Sequence, residues 1–328
     1  MPEKHELIKE NMNDFFMSKN QLKYIFYGGK GGVGKTVLAA ATALRLSEKG
    51  KKTLLVSTNP VHSLSGLLCQ NVFGKETAVK DTRLFSLEID TKETIVKKKI
   101  EIKEKIGWFL KFADISSQKT NEFIETATMN PAFEESAMFE QMVDLMFEDK
   151  YDVYVFDTAP AANARKLLGM SKVYTLWVEK ILSSREESTN LRKKLSVSKT
   201  DEKDPLLDYL MNFKGRIDRV HKLLTDKQKT AFFFATLPEA LPIAVIKRFI
   251  GWFQDFGIPI GGVVVNGLID KNVTKNFTHE FVINRINSQS KYLDEIFQSF
   301  PDVRALVPRF ENEILGVEKL KKVADYLF

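Results

Sequence analysis

The stretch Gly29-Lys30-Gly31-Gly32-Val33-Gly34-Lys35-Thr36 constrains the fold of this chain more than any other. It matches G-x-x-x-x-G-K-[ST], a loop whose glycines let backbone N–H groups turn inward around phosphate oxygens. Lys35 supplies positive charge for β- and γ-phosphates, and Thr36 places a hydroxyl where Mg²⁺ would sit. Leu22 to Tyr27 reads as a buried strand before the loop, and Val37 to Leu46 as an Ala-rich helix after it. The helix N-terminus favours anions, so Gly29 through Val37 are the expected phosphate contacts.

Further short apolar runs read as parallel strands: Thr53–Val56, Leu84–Ile89, Tyr151–Phe156, Ala231–Ala235 and Gly262–Val265. With helical patterns between them, they predict a doubly wound, mostly parallel α/β sheet. Two long intervals, Thr91 to about Asp149 and about Ser171 to Lys229, do not fit simple crossovers and read as helices. Both follow strand-end loops, so both should emerge on the nucleotide side of the sheet. The expected division is a discontinuous nucleotide-binding domain (residues 20–92, 145–170 and 231–328) and an inserted all-helical subdomain (residues 93–144 and 171–230). Lys199 to Asp204 reads as a mobile loop, and there is no internal repeat.

Composition narrows the class further. Of the 328 residues, 44% are hydrophobic and 28% charged, as in ordinary globular proteins. The net charge of +6 is compatible with anionic membranes, nucleic acid or acidic partners and selects none of them. The single Cys69 excludes an intrachain disulfide framework and any Cys-pair metal site within one chain. No uncharged apolar run approaches the ~20 residues that span a bilayer, and the N-terminal residues lack an apolar signal region. The expectation is a cytoplasmic protein.

Tyr151 to Asp157 is an apolar strand ending in an acid, the place where an Asp holds the Mg²⁺ water shell beside a phosphate loop. Val56 to Ser65 leaves the second strand and is well placed to sense a γ-phosphate. Within it, His62 reads as a polar loop residue rather than a ligand, because no second metal-type residue is spaced with it. Lys30 marks the deviant Walker A class, in which that lysine reaches the nucleotide of a partner subunit.

Lys-Gly-Gly-Val-Gly-Lys-Thr at 30–36, Ser-Thr-Asn-Pro-Val-His-Ser at 57–63 and Asp-Thr-Ala-Pro at 157–160 together resemble the ArsA family. That family contains arsenite-pump ATPases and the targeting ATPases of tail-anchored membrane proteins. The likeness continues in Pro131–Phe139, Thr236-Leu237-Pro238-Glu239, Val265-Asn266-Gly267, Lys291–Ile296 and Val307–Leu320. It implies an acid, Glu239, near the nucleotide at a dimer interface, and Asn266 reading adenine. It also implies that the loop carrying Pro308 and Phe310 packs on the adenine.

The chain departs from the family at defined places. Asn59 stands where the family has an Asp that orients or activates the attacking water, and an amide is a very poor base. Either Asp was changed to Asn to trap ATP, the reading favoured by the intact surroundings, or the natural protein hydrolyses slowly. Lys166 replaces a family Arg and keeps its charge without the planar fork. The segment that carries a zinc-binding Cys-x-x-Cys in many targeting members reads His279-Glu280-Phe281-Val282, so no zinc is expected. One cysteine cannot form the metalloid site of the arsenite pumps.

The helical intervals hold Ile100, Ile102, Ile106, Trp108, Phe109, Leu110 and Phe112, then Val173, Tyr174, Leu176, Trp177, Val178, Ile181 and Leu182. These form either the subdomain's own core or an apolar groove for a client helix. Methionines are sparse there (Met129, Met138 and Met211), which weakens the groove reading. The resemblance implies a homodimeric ATPase using ATP/ADP and Mg²⁺, with Asn59 and Lys30 as catalytic positions. Its expected partners are tail-anchored helices and a membrane receptor, with transient membrane association and no nucleic acid. The alternative is the catalytic subunit of an arsenite or anion pump, joined to a pump subunit.

Overall fold

A computed structural model describes residues 6–59, 63–113, 131–158, 205–270 and 280–328. Eight strands form one sheet: β1 Tyr24–Gly28, β2 Thr53–Ser57, β3 Thr77–Ala78, β4 Leu84–Glu88, β5 Val153–Asp157, β6 Thr230–Thr236, β7 Ile260–Leu268 and β8 Val303–Pro308. Their spatial order is β3-β4-β2-β5-β1-β6-β7-β8. Every pairing is parallel except β3 with β4. The expected mostly parallel α/β fold is therefore present, and all the phosphate-side strand ends lie along one edge.

The described helices are α1 Met12–Ser18, α2 Lys35–Glu48, α3 Ser63–Leu68, α4 Thr91–Ala113 and α5 Pro131–Glu148. They continue with α6 Pro205–Thr225, α7 Ala240–Asp255, α8 Glu280–Ser299 and α9 Gly316–Leu327.

Central strands bury both faces, so their side chains alternate between two apolar layers. Tyr24, Phe26, Tyr154, Phe156, Phe232 and Phe234 face the layer that includes Met142, Met146 and Phe253. Ile25, Tyr27, Val155, Phe233 and Ala235 face the layer that includes Leu38, Ala41 and Leu320. Register explains one local packing feature. Phe26 lies opposite both Phe156 and Phe232, and its ring stacks on theirs at 4.7 and 4.3 Å between centroids. Replacing Phe26 with Ala would empty the middle of that stack, at a cost of about 3–5 kcal/mol. On the other face, fully buried Ala39, Ala40, Ala41 and Ala43 give α2 a smooth side that lies close to the sheet. This fixes the phosphate loop directly after β1.

The short strand β3, helix α3, β8 and helix α1 were not anticipated. β8 extends the sheet beyond β7, so Val307 and Pro308 end a strand rather than occupy a loop. Helix α1 covers the sheet edge opposite the phosphate loop, capped by Asn11, whose side chain accepts from the Asp14 N–H at 2.9 Å. The last turns of α5 pack on the sheet through Met142, Val143, Leu145 and Met146. Lys98 of α4 and Arg216 of α6 both reach Asp144 of α5, at 3.2 and 2.5 Å.

Candidate functional site

The loop between β1 and α2 is shaped by backbone positions that only glycine occupies easily. Gly34 has φ 93°, and a Cβ there would lie 2.2 Å from the Asn266 side-chain nitrogen. Gly29 has φ 141°, and a Cβ there would lie 2.4 Å from the Ala235 carbonyl. The loop is therefore held against the ends of β6 and β7. The Asn266 amide donates to the Val33 carbonyl at 2.9 Å.

Lys35 opens α2 and donates to the Lys30 carbonyl at 3.2 Å. Burial pushes its ammonium below the usual lysine range, and Asp157 pulls against that shift. A cation kept partly dehydrated in this way is prepared for an anion. Thr36 donates its hydroxyl to the Asp157 carboxylate at 2.7 Å. Asp157 ends β5 and is 2% exposed. Burial pushes its carboxyl above the usual range, while Thr36, Lys35 and Ser57 oppose the shift.

The second strand's exit joins the same network. Ser57 donates to Asp157 at 3.1 Å, and the Asn59 N–H donates to the Ser57 hydroxyl at 3.2 Å. The Asn59 amide donates to the Ser63 hydroxyl at 3.1 Å, across the start of α3. The Thr58 N–H donates to the Asp157 carbonyl at 3.2 Å. Lys35, Thr36, Asp157 and Asn59 thus meet around one point at the carboxyl ends of β1, β2 and β5. Ser57, which the sequence reading placed in this segment without a role of its own, connects two of them. Its signal was present: it closes β2 and stands two residues before Asn59.

Glu239 and Gly32 border one space on the other side of the loop, whereas Asn266, Pro308 and Phe310 are not among its walls. A cavity of about 560 Å³ opens there, with Gly32, Pro238, Glu239, Gly267, Arg285 and Arg309 among its walls. Asn266 backs the loop. Pro308 ends β8, and the next residue, Arg309, donates its N–H to Leu268 at 2.7 Å. The Phe310 ring lies 5.8 Å from that of Tyr326 on α9. Glu239 is paired with Arg285 of α8 at 2.5 Å, a cation that sequence reasoning did not single out.

The donor set suits a hard cation. Thr36 and Asp157 offer adjacent oxygens, and Mg²⁺ is usually held by one or two protein oxygens together with phosphates and water. Among the described residues, no group of three or more His, Cys, Asp or Glu residues surrounds a metal position. Also among them, no helix is long and apolar enough to cross a membrane.

Several expected features lie outside the described residues: His62, the stretch from Ala161 to Lys166, the apolar residues from Val173 to Leu182, the loop from Lys199 to Asp204, Met129 and His279. So do the side chains of Ile102, Ile106, Trp108, Phe109, Leu110 and Phe112. Of the other groove candidates, Met138 is buried, whereas Ile100 and Met211 are exposed.

Comparison with known proteins agrees with this geometry. Residues 22–328 match the family described as anion-transporting ATPase. A protein of Aquifex aeolicus provisionally named arsenical pump-driving ATPase 2 is 33% identical over 315 residues, covering 93% of this chain and 99% of that protein. ATPase ASNA1 homolog 2 of Paramecium tetraurelia is 28% identical, covering 93% of each chain. ATPase GET3A of Arabidopsis thaliana is 27% identical, covering 93% of this chain and 83% of that protein.

Proposed function

The chain belongs to the ArsA family of anion-transporting ATPases, and on that premise we propose that it is a nucleotide-switched, homodimeric targeting ATPase for tail-anchored membrane proteins. The observation that carries the nucleotide reading is the contact between Thr36 and Asp157 at the mouth of a glycine-shaped loop. Loop N–H groups and Lys35 would hold the β- and γ-phosphates. Thr36 and Asp157 would orient Mg²⁺, which supplies charge neutralisation of those phosphates. Lys30 would act on the partner subunit's nucleotide. Glu239, Asn266, Pro308 and Phe310 would border the nucleoside.

Hydrolysis requires water to attack the γ-phosphorus while the bond to the β-phosphate oxygen breaks. Asn59 stands where that water would be held. It orients a water without taking its proton, so turnover is slow. Asp in its place would supply a base or anchor worth about 10²-fold or more.

The client reading has support of a different kind. Val96 and Ile100, one turn apart on α4, and Met211 on α6 are apolar side chains that are each more than half exposed on the helices beyond the sheet. We take residues 93–144 and 171–230 as the client-binding subdomain. ATP would close the dimer and complete that surface, and hydrolysis would open it at a membrane receptor.

The test compares the chain with Asn59→Asp, each with and without a tail-anchored transmembrane peptide kept soluble by a carrier. The expected result is peptide capture in ATP by the Asn59 form, and turnover restored in Asn59→Asp. If neither form captures the peptide while both bind ATP, the targeting role fails. The name of the Aquifex relative favours pump driving as the second reading, and strong stimulation of turnover by arsenite or antimonite would select it.

A further inference from the structure

Glu88 is the last residue of β4 and is fully buried. Among the described residues no basic side chain pairs with it. Its carboxylate accepts from the Leu64 N–H at 2.9 Å, the Ser65 N–H at 3.3 Å and the Ser65 hydroxyl at 2.6 Å. All three donors belong to the first turn of α3. A buried carboxylate without a cation is costly unless such donors surround it. A fully buried acidic side chain that spends its hydrogen bonds on the first turn of one helix calls for a role.

The role follows from register. Glu88 lies directly opposite Ser57, the last residue of β2. The Ile89 N–H donates to the Ser57 carbonyl at 3.0 Å. The chain leaves the sheet at Ser57, passes Asn59 and returns at α3 to the residue beside its point of departure. Both ends of the excursion are pinned at neighbouring sheet positions. Ser57 ties the outgoing end to Asp157, and Glu88 ties the returning end to β4. Asn59 bridges the two through Ser57 and Ser63.

We propose that Glu88 is a positioning residue for the nucleotide-sensing segment. It clamps the start of α3 so that Asn59 is held at a fixed place relative to Asp157 and the phosphate loop. The side-chain hydrogen bonds that Glu88 accepts come from Leu64 and Ser65, so it acts through α3. The proposal rests on the nucleotide reading above for what the segment senses; the clamp itself stands on the hydrogen bonds alone.

Glu88→Gln keeps the shape, but turns an NH₂ group toward N–H donors and removes the charge. Ser65→Ala removes one of the three donors and leaves both backbone bonds, as a milder variant should the first fold poorly. The measurement is amide exchange across residues 58–68 in apo, ADP and ATP states, alongside ATP affinity. In apo Glu88→Gln, exchange at Leu64 and Ser65 is expected to quicken by about tenfold or more, with a smaller change in Ser65→Ala. ATP and ADP should bind Glu88→Gln within about threefold of the unmodified chain, while the extra protection that ATP gives over ADP in this segment is lost.

Two results would overturn the clamp: unchanged apo exchange at Leu64 and Ser65, or retention of the ATP-over-ADP difference in a variant that has merely lost thermal stability. If the unmodified chain binds no ATP, it is the nucleotide reading that fails. The apo exchange rates then still decide whether Glu88 holds α3.

Discussion

At the scale of single residues, the phosphate-loop site trades stability for charge. Asp157 is buried, and its carboxyl titrates above the usual range. The folded state therefore binds that proton more tightly than the unfolded chain does. Stability contributed by the protonated form is lost as pH rises through the folded value. Asp157→Asn is thus expected to raise the apo melting temperature near neutral pH by about 1–4 °C, with the gain shrinking toward pH 4. The same substitution should remove the extra stabilisation that Mg²⁺-ATP gives over ATP alone. Melting curves across pH, with and without Mg²⁺-ATP, measure both effects. A lower apo melting temperature for Asp157→Asn at neutral pH would contradict the argument. Gly34→Ala tests the loop by another route. Its Cβ would meet Asn266 and sit at positive φ, so we expect about 1–3 kcal/mol of lost stability. ATP affinity should fall with it, read by urea unfolding and nucleotide titration.

At the scale of elements, Arg304 shows how a strand can carry a charge inward. It stands near the start of β8 and is 6% exposed. It donates to the Gly261 carbonyl at 2.7 Å and the Glu10 carbonyl at 3.0 Å, and pairs with the Glu10 carboxylate and with Asp302. Its guanidinium also lies 4.9 Å from the Phe15 ring of α1. One side chain thus fastens α1 and Glu10, two residues ahead of it, to the sheet edge opposite the phosphate loop. Arg304→Leu is expected to cost about 2–4 kcal/mol, because it strands two carbonyls and a carboxylate. Limited proteolysis should then cut first within residues 6–18, with ATP affinity unchanged. These partners also explain why β8 escaped the sequence reading. An Arg inside Val-Arg-Ala-Leu-Val-Pro breaks an apolar run, and beside the neighbouring Asp302 it is the distant Gly261 and Glu10 that make its burial tolerable. Helix α1 was missed for a related reason: its seven residues are stabilised by packing of Phe15 and Phe16 on Phe233 rather than by length.

At the scale of the whole molecule, the mostly parallel sheet brings the end of β1, the end of β2 and Asp157 of β5 side by side at one edge. Lys30 is expected to separate binding from assembly. Lys30→Ala should bind ATP within about threefold of the unmodified chain, yet lose the Mg²⁺-ATP-driven shift to a dimer in sedimentation velocity. A dimer that forms equally well in Lys30→Ala would remove the cross-subunit role. By itself, the sequence determined the strand–loop–helix start, the alternating sheet and the glycine-shaped turn that carries Lys35 and Thr36. Those signals are local: glycines that turn a backbone, apolar runs long enough for a buried strand, and an acid at a strand's end. Tertiary structure alone decided that Ser57 meets Asp157, that Glu88 receives α3 and that Arg285 meets Glu239. These partners stand far apart in the chain or in different elements. Only strand register and helix packing bring their atoms within hydrogen-bonding distance, and no spacing along the chain encodes that.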